Sequence, residues 1–299
     1  MRRRALLGVL SAGAGVLATG CSAADPQTSE TSTAEESPVP ATYTYGDLPS
    51  QFGELSLPAG TGPVPVVVVV HGGFWRTGYG AELGRPLAQD LVGHGWAALN
   101  VEYRRVGRGH KAGRGGWPRT MVDVAAAVDA LATDGQRLAD GRLQLDRVVG
   151  LGHSAGGQLV GWLGARPGLP GGTPGADPAV RLRGLVAQAG VLDLVGAARQ
   201  HVGGDAVPDL MGGGPDAEAA AYALASPLAR LPLGVPSVCV HGSADTTVPL
   251  SQSETFTAAA RAAGDDSTLM THAGDHLDPI TVGTPAWTLC TDAITRLLA

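Results

Sequence analysis

Apolar residues along this chain fall into two alternating rhythms. "VPVVVVVHGG" (64–73) is a run of valines without polar alternation, the pattern of a strand covered on both faces, as in a parallel sheet flanked by helices. "WAALNVEYR" (96–104), "DRVVGLGH" (146–153), "RLRGLVAQAGV" (181–191), "PSVCVHG" (236–242) and "STLMTHAG" (267–274) read as further strands. Between them lie helical stretches: 81–95, which ends at glycine, a segment with Met121, Ala125, Val128 and Leu131 on one face, and "AGGQLVGWLGA" (155–165). "TYTYGD" (42–47) and "GELSLPAG" (53–60) predict an antiparallel pair ahead of the valine strand. Strand and helix in regular alternation predict an α/β fold with a mostly parallel central sheet.

Two stretches break the rhythm. Residues 166–180, rich in Pro and Gly, read as loop. Residues 198–231 read as an irregular insertion, a small cap on the sheet, and long insertions on a rigid sheet commonly carry recognition.

Composition narrows the class. The chain has 299 residues, 44% of them hydrophobic and 16% charged, so it can bury a substantial core. Its net charge is −6 despite three arginines at positions 2–4, which argues against nucleic acid as a partner. "MRRR" followed by a 15-residue apolar segment (5–19) reads as an export signal, too short for a spanning helix of about 20 residues. "LATGC" resembles a bacterial lipoprotein signal, which would make Cys21 the lipidated first residue of the mature chain. Arg3–Leu7 also resembles a twin-arginine export signal. Residues 22–41, polar and proline-containing, read as a disordered tether, which leaves 42–299 as the folded domain. The chain is thus expected to be exported, either membrane-anchored through a lipid on Cys21 or extracellular. Cys239 and Cys290 read as two buried thiols, with a bridge between them as the alternative.

Candidate chemistry centres on "GLGHSAGGQL" (150–159). Gly152-His153-Ser154-Ala155-Gly156 fits G-x-S-x-G between a strand and a helix, the context in which serine takes a strained turn and stands clear of the sheet. A serine hydroxyl is a weak nucleophile at neutral pH and needs a base oriented by a carboxylate. In chain order Asp245 ("HGSADTTVP") supplies the acid and His276 ("HAGDH") the base, both just beyond strand ends. Asp193 and His272 are the rival acid and base; His153 reads as structural, and Asp275 and Asp278 as local hydrogen-bond residues. "HGGFW" (71–75) follows the valine strand, and its glycines let backbone N–H groups approach a substrate oxygen. Gly73, Phe74 and Ala155 are the candidate oxyanion hole. His71 reads as a buried brace, and Phe74 and Trp75 as core or pocket lining, with Trp75 the candidate substrate contact.

Taken together, "HGGFW", "GHSAGGQL", "HGSADTTVP" and "GDH" resemble the α/β-hydrolase superfamily, in its esterase branch with an H-G-G-x-W oxyanion loop. Kynurenine-formamidase-like enzymes, feruloyl- and acetyl-xylan-type esterases and relatives of hormone-sensitive lipase belong there. The resemblance runs over about residues 45–299. It departs at Phe74, where the lipase-like relatives have a third glycine, and at "EYRRVGRGHKAGRGGWP", which replaces a Y-R-L-A-P pattern. The resemblance implies an α/β-hydrolase fold and hydrolysis of a small ester through an acyl-enzyme, with no metal or organic cofactor. An amidase, arylformamidase or peptidase on the same triad is the alternative, and a non-catalytic surface binding protein is the third reading.

Overall fold

The computed structural model describes residues 40–107 and 114–299. The export signal, Cys21 and nearly all of the tether lie outside the described residues.

The described residues form an eight-stranded sheet in the order β1-β2-β4-β3-β5-β6-β7-β8. The strands are β1 Ala41–Thr44, β2 Phe52–Ser56, β3 Val64–Val70, β4 Ala97–Val101, β5 Leu143–His153, β6 Gly184–Gln188, β7 Ser237–Gly242 and β8 Ser267–His272. β1–β2 and β2–β4 pair antiparallel, and every other pairing is parallel. Each expected strand is present. The valine run explains why both faces are covered: Val66, Val68 and Val70 enter one hydrophobic core while Val67 and Val69 enter another, because successive side chains of a strand point to opposite faces.

Helices α1 Arg85–Gly93 and α9 Pro285–Leu298 seal the second core with Leu87, Leu91, Trp287 and Ile294. On the other face lie α2 Arg119–Asp129, α4 Ala155–Ala165 and α8 Ser251–Ala262, contributing Val124, Leu159 and Phe256 among others. A short α3, Asp134–Leu138, precedes β5. The helix read over 81–95 is interrupted, with a 3-10 turn at Ala81–Leu83 before α1. Residues 198–231 are more regular than their sequence suggests: α5 Leu194–Arg199 runs into the segment, α6 Ala206–Met211 and α7 Ala219–Ala225 lie within it, and a 3-10 turn, Pro227–Arg230, closes it. Each helix is too short to show a clear apolar periodicity. Cys239 and Cys290 are separate buried thiols, which excludes the bridge. Among the described residues no helix is long and apolar enough to cross a membrane.

The topology decides where chemistry can occur. β3 lies between β4 and β5, so the connections leaving β3 and β5 diverge at its carboxyl end, the crevice in which open α/β sheets bind ligands. The HGG loop after β3, the serine turn after β5, and the loops after β7 and β8 all open on this edge.

Candidate active site

Ser154 sits at the tip of the β5–α4 turn with φ 54° and ψ −115°, a conformation that is strained for a residue with a side chain. The flanking glycines make the turn feasible. A Cβ on Gly152 would lie 2.2 Å from the Gly156 carbonyl oxygen, and one on Gly156 would lie 2.0 Å from that of Val70. The turn is pinned by hydrogen bonds from Ser154 N to Gln188 O (2.8 Å) and from Val191 N to Ser154 O (3.2 Å). α4 then runs buried on all sides beneath the site.

The candidate base and acid meet directly: His276 Nδ1 lies 2.7 Å from Asp245 Oδ2. Asp245 Oδ1 accepts from the backbone N–H groups of Thr247 (2.8 Å) and Val248 (2.9 Å). Burial of this carboxyl opposes its ionisation, but hydrogen bonds from His241, His276 and Val248 outweigh that and hold its pKa well below the usual carboxylate range. With Nδ1 facing the carboxylate, His276 is fixed as the Nδ1–H tautomer, which leaves Nε2 free to accept a proton.

The serine and this pair are joined through His153. Its Nε2 lies 2.9 Å from the His276 carbonyl oxygen, and the two rings pack with centroids 4.5 Å apart. No hydrogen bond between Ser154 Oγ and His276 occurs among the described residues; the serine–imidazole contact of such sites is often loose until substrate binds. Burial, and then the neighbouring His276, push the His153 pKa down to about 3, so it stays neutral beside the His276 ring.

Both rivals have other work. The Asp193 side chain accepts from Gly196 N at 3.0 Å and caps α5. His272 ends β8, its backbone paired with Gly242, and among the described residues its side chain makes no hydrogen bond to Asp245. Asp275 and Asp278 make local turn hydrogen bonds to Leu277 N and Asp275 N.

The HGGFW loop abuts the elbow: a Cβ on Gly72 would lie 3.1 Å from that of Ser154. Gly73, Phe74 and Trp75 have φ of 111°, 56° and 54°. Among the described residues the N–H groups of Gly73 and Phe74 donate to no acceptor, and Ala155, first residue of α4, has no intrahelical acceptor for its own. The ring of Tyr79 lies over Gly73, and that of Phe74 packs on Gly203 of the insertion. His71 is buried, stacks on Tyr103 with centroids 4.3 Å apart, and braces the loop.

Trp75 requires a correction: it is no substrate contact. It is 1% exposed, and its indole N–H donates to Gln158 Oε1 at 3.1 Å inside the core. Gln158 in turn donates to Ala225 O at 2.9 Å, so one buried amide ties together the loop, α4 and the insertion. The sequence reading missed Gln158, and it also missed His241, whose Nε2 lies 3.2 Å from Asp245 Oδ2. The only signal for His241 was a polar residue four positions before the acid, directly after the apolar run Val238–Val240 of β7. Among the described residues no group of His, Cys, Asp or Glu is arranged to hold a metal ion.

The BD-FAE family profile matches residues 54–259. The chain belongs to this family, an esterase family of the α/β-hydrolase superfamily. Esterase LipC of Mycobacterium tuberculosis is 27% identical over 239 residues, which cover 73% of this chain and 54% of that protein. Esterase LipQ of the same organism is 31% identical over 67% of this chain and 46% of its own length. This BD-FAE chain therefore spans about half the length of the curated relatives it matches. Among solved structures, the esterase Est2 of Thermogutta terrifontis superposes with a TM-score of 0.68 at 21% identity, over 88% of this chain and 92% of that one; at that identity the likeness speaks for the fold.

Proposed function

We propose that this BD-FAE protein is a serine esterase that cleaves carboxylic esters of small substrates through an acyl-enzyme on Ser154. The observation that carries this reading is the buried His276–Asp245 pair, 2.7 Å apart, beside a serine in a strained strand–helix turn. Ser154 Oγ attacks the ester carbonyl carbon while its proton passes to His276 Nε2. Asp245 holds the imidazole in the Nδ1–H tautomer and stabilises the imidazolium. The oxyanion is received by the N–H groups of Gly73, Phe74 and Ala155, one such donor being worth about 10²–10³ in rate. The imidazolium then protonates the departing alcohol, and water repeats the sequence on the acyl-enzyme.

The test is turnover of p-nitrophenyl esters of graded acyl length by the wild type and by Ser154→Ala, alongside labelling with a fluorophosphonate probe. Release of nitrophenol that vanishes with the hydroxyl, and a label on Ser154, are expected. An inert, unlabelled wild type overturns the reading, and faster turnover of formyl-arylamides than of acetyl esters replaces it with an amidase.

The N-terminal sequence supports export and a lipid anchor on Cys21, with the tether holding the domain off the membrane. Mass analysis of the mature N-terminus tests this: a diacylglyceryl cysteine at position 21 is the expected product.

A further inference from the structure

Asp245 has a second imidazole against it. His241 sits near the end of β7, 0% exposed, with Nε2 placed 3.0 Å from the Val248 carbonyl oxygen and 3.2 Å from Asp245 Oδ2. Both neighbours are acceptors, so this nitrogen carries a hydrogen and shares it between them. Its Nδ1 lies 2.8 Å from Ser253 Oγ on α8, a hydroxyl that donates when the ring is neutral. The carboxylate thus has two donors on Oδ1, from Thr247 and Val248, and two imidazole nitrogens against Oδ2, His276 Nδ1 at 2.7 Å and His241 Nε2 at 3.2 Å. Four such partners fill the acceptor capacity of a carboxylate. With every lone-pair direction engaged, the group can neither rotate nor take up a proton without breaking a bond.

We propose that His241 is a positioning residue of the hydrolytic machinery, fixing the Asp245 carboxylate and drawing off part of the charge that it presents to His276. This rests on the reading of Ser154, His276 and Asp245 as that machinery. The oxygen that His241 touches is the one that grips the base. A donor on it lowers its basicity, so it holds the catalytic imidazolium less tightly than an unshared oxygen would. His241 thereby shares the oxygen that holds His276 Nδ1 and limits how tightly that oxygen grips the ring. The charged and titratable groups around His241 are Asp245 in the following loop, His276 beyond the carboxylate, His153 on the elbow and His272 on β8. Cys239 shares its strand, and α8 meets its ring with the Ser253 hydroxyl.

Removing the donor is expected to leave Oδ2 of Asp245 to His276 alone and tighten that contact. In His241→Leu the acid limb of the kcat/KM profile moves upward by about 0.5–1 pH, the scale of one hydrogen bond, and kcat falls while KM for a p-nitrophenyl ester holds. In His241→Gln, whose amide nitrogen can occupy the position of Nε2, the limb returns toward its wild-type place. A purely structural role would lower activity in both variants and leave the limb fixed, which overturns the proposal. Should the leucine variant fail to fold, the wild type still decides. Nitrogen-15 histidine spectra are expected to show His241 as the Nε2–H tautomer, and an unprotonated Nε2 overturns the proposal. The two readings also fail separately: absent Ser154-dependent turnover removes the esterase assignment, whereas normal turnover with an unmoved limb in His241→Leu removes only the role of His241.

Discussion

His153 Nε2 donates to the main-chain carbonyl of His276 across 2.9 Å, so the residue beside the serine holds the backbone of the candidate base. In sequence the two are 123 positions apart. Loss of the contact in His153→Leu is expected to lower kcat about tenfold to a hundredfold, the equivalent of about 1–3 kcal/mol, with a smaller change in KM. Steady-state kinetics on a short p-nitrophenyl ester measure the split; a rise in KM alone would mean that His153 serves substrate binding instead.

The same histidine and Asp245 make stability depend on pH in the same direction. The His153 pKa is near 3 in the folded protein and the ordinary histidine value is about 6.5, so between these limits the unfolded chain binds a proton that the native one refuses. Stability is therefore full above about pH 6.5 and declines as pH falls toward 3. Asp245, whose folded pKa is depressed, adds a further loss that begins only below its unfolded value of about 3.9. Urea midpoints at pH 7 and pH 4.5 should differ in the wild type, and His153→Gln should narrow the gap. An unchanged gap would assign the acid lability to other groups.

Gly73 is a sharper test of the oxyanion loop. Its φ is 111°, and an added Cβ would lie 2.4 Å from Tyr79 carbons. Gly73→Ala must shift the loop and with it the N–H groups aimed at the site. A fall in kcat of about 10²–10³ is expected, with fluorophosphonate labelling slowed in parallel because the phosphonyl oxygen uses the same donors. Labelling at the wild-type rate would place the oxyanion elsewhere.

Trp75→Phe separates packing from recognition. The change leaves Gln158 Oε1 without its donor in the core, a cost of about 1–3 kcal/mol. Denaturant unfolding should register that loss while KM for short esters stays close to the wild-type value. A large rise in KM at unchanged stability would restore Trp75 to the pocket.

The sequence alone determined what depends on local covalent character. Five successive valines with no polar break can only be a doubly covered strand, and that pattern fixed the α/β class. A serine between glycines at a strand–helix junction fixed the elbow, since a Cβ at Gly152 or Gly156 is excluded by backbone within the same motif and the neighbouring strand. Tertiary structure decided which loop side chains meet. Asp193 and Asp245 both follow strands, and His272 at the end of β8 lies only four residues before His276 in the loop beyond it, so sequence spacing could not choose between them. The choice came from where each backbone points after its strand: Asp193 folds back to cap α5, while Asp245 and His276 converge. His241 and Gln158 stayed hidden for the same reason. Each is a polar residue inside an apolar element, and its importance lies in a partner supplied by another element or another turn of chain: Trp75 for Gln158, the carboxylate for His241. A hydrophobic pattern records which way a side chain faces; only the packed structure places the atom that it will find there.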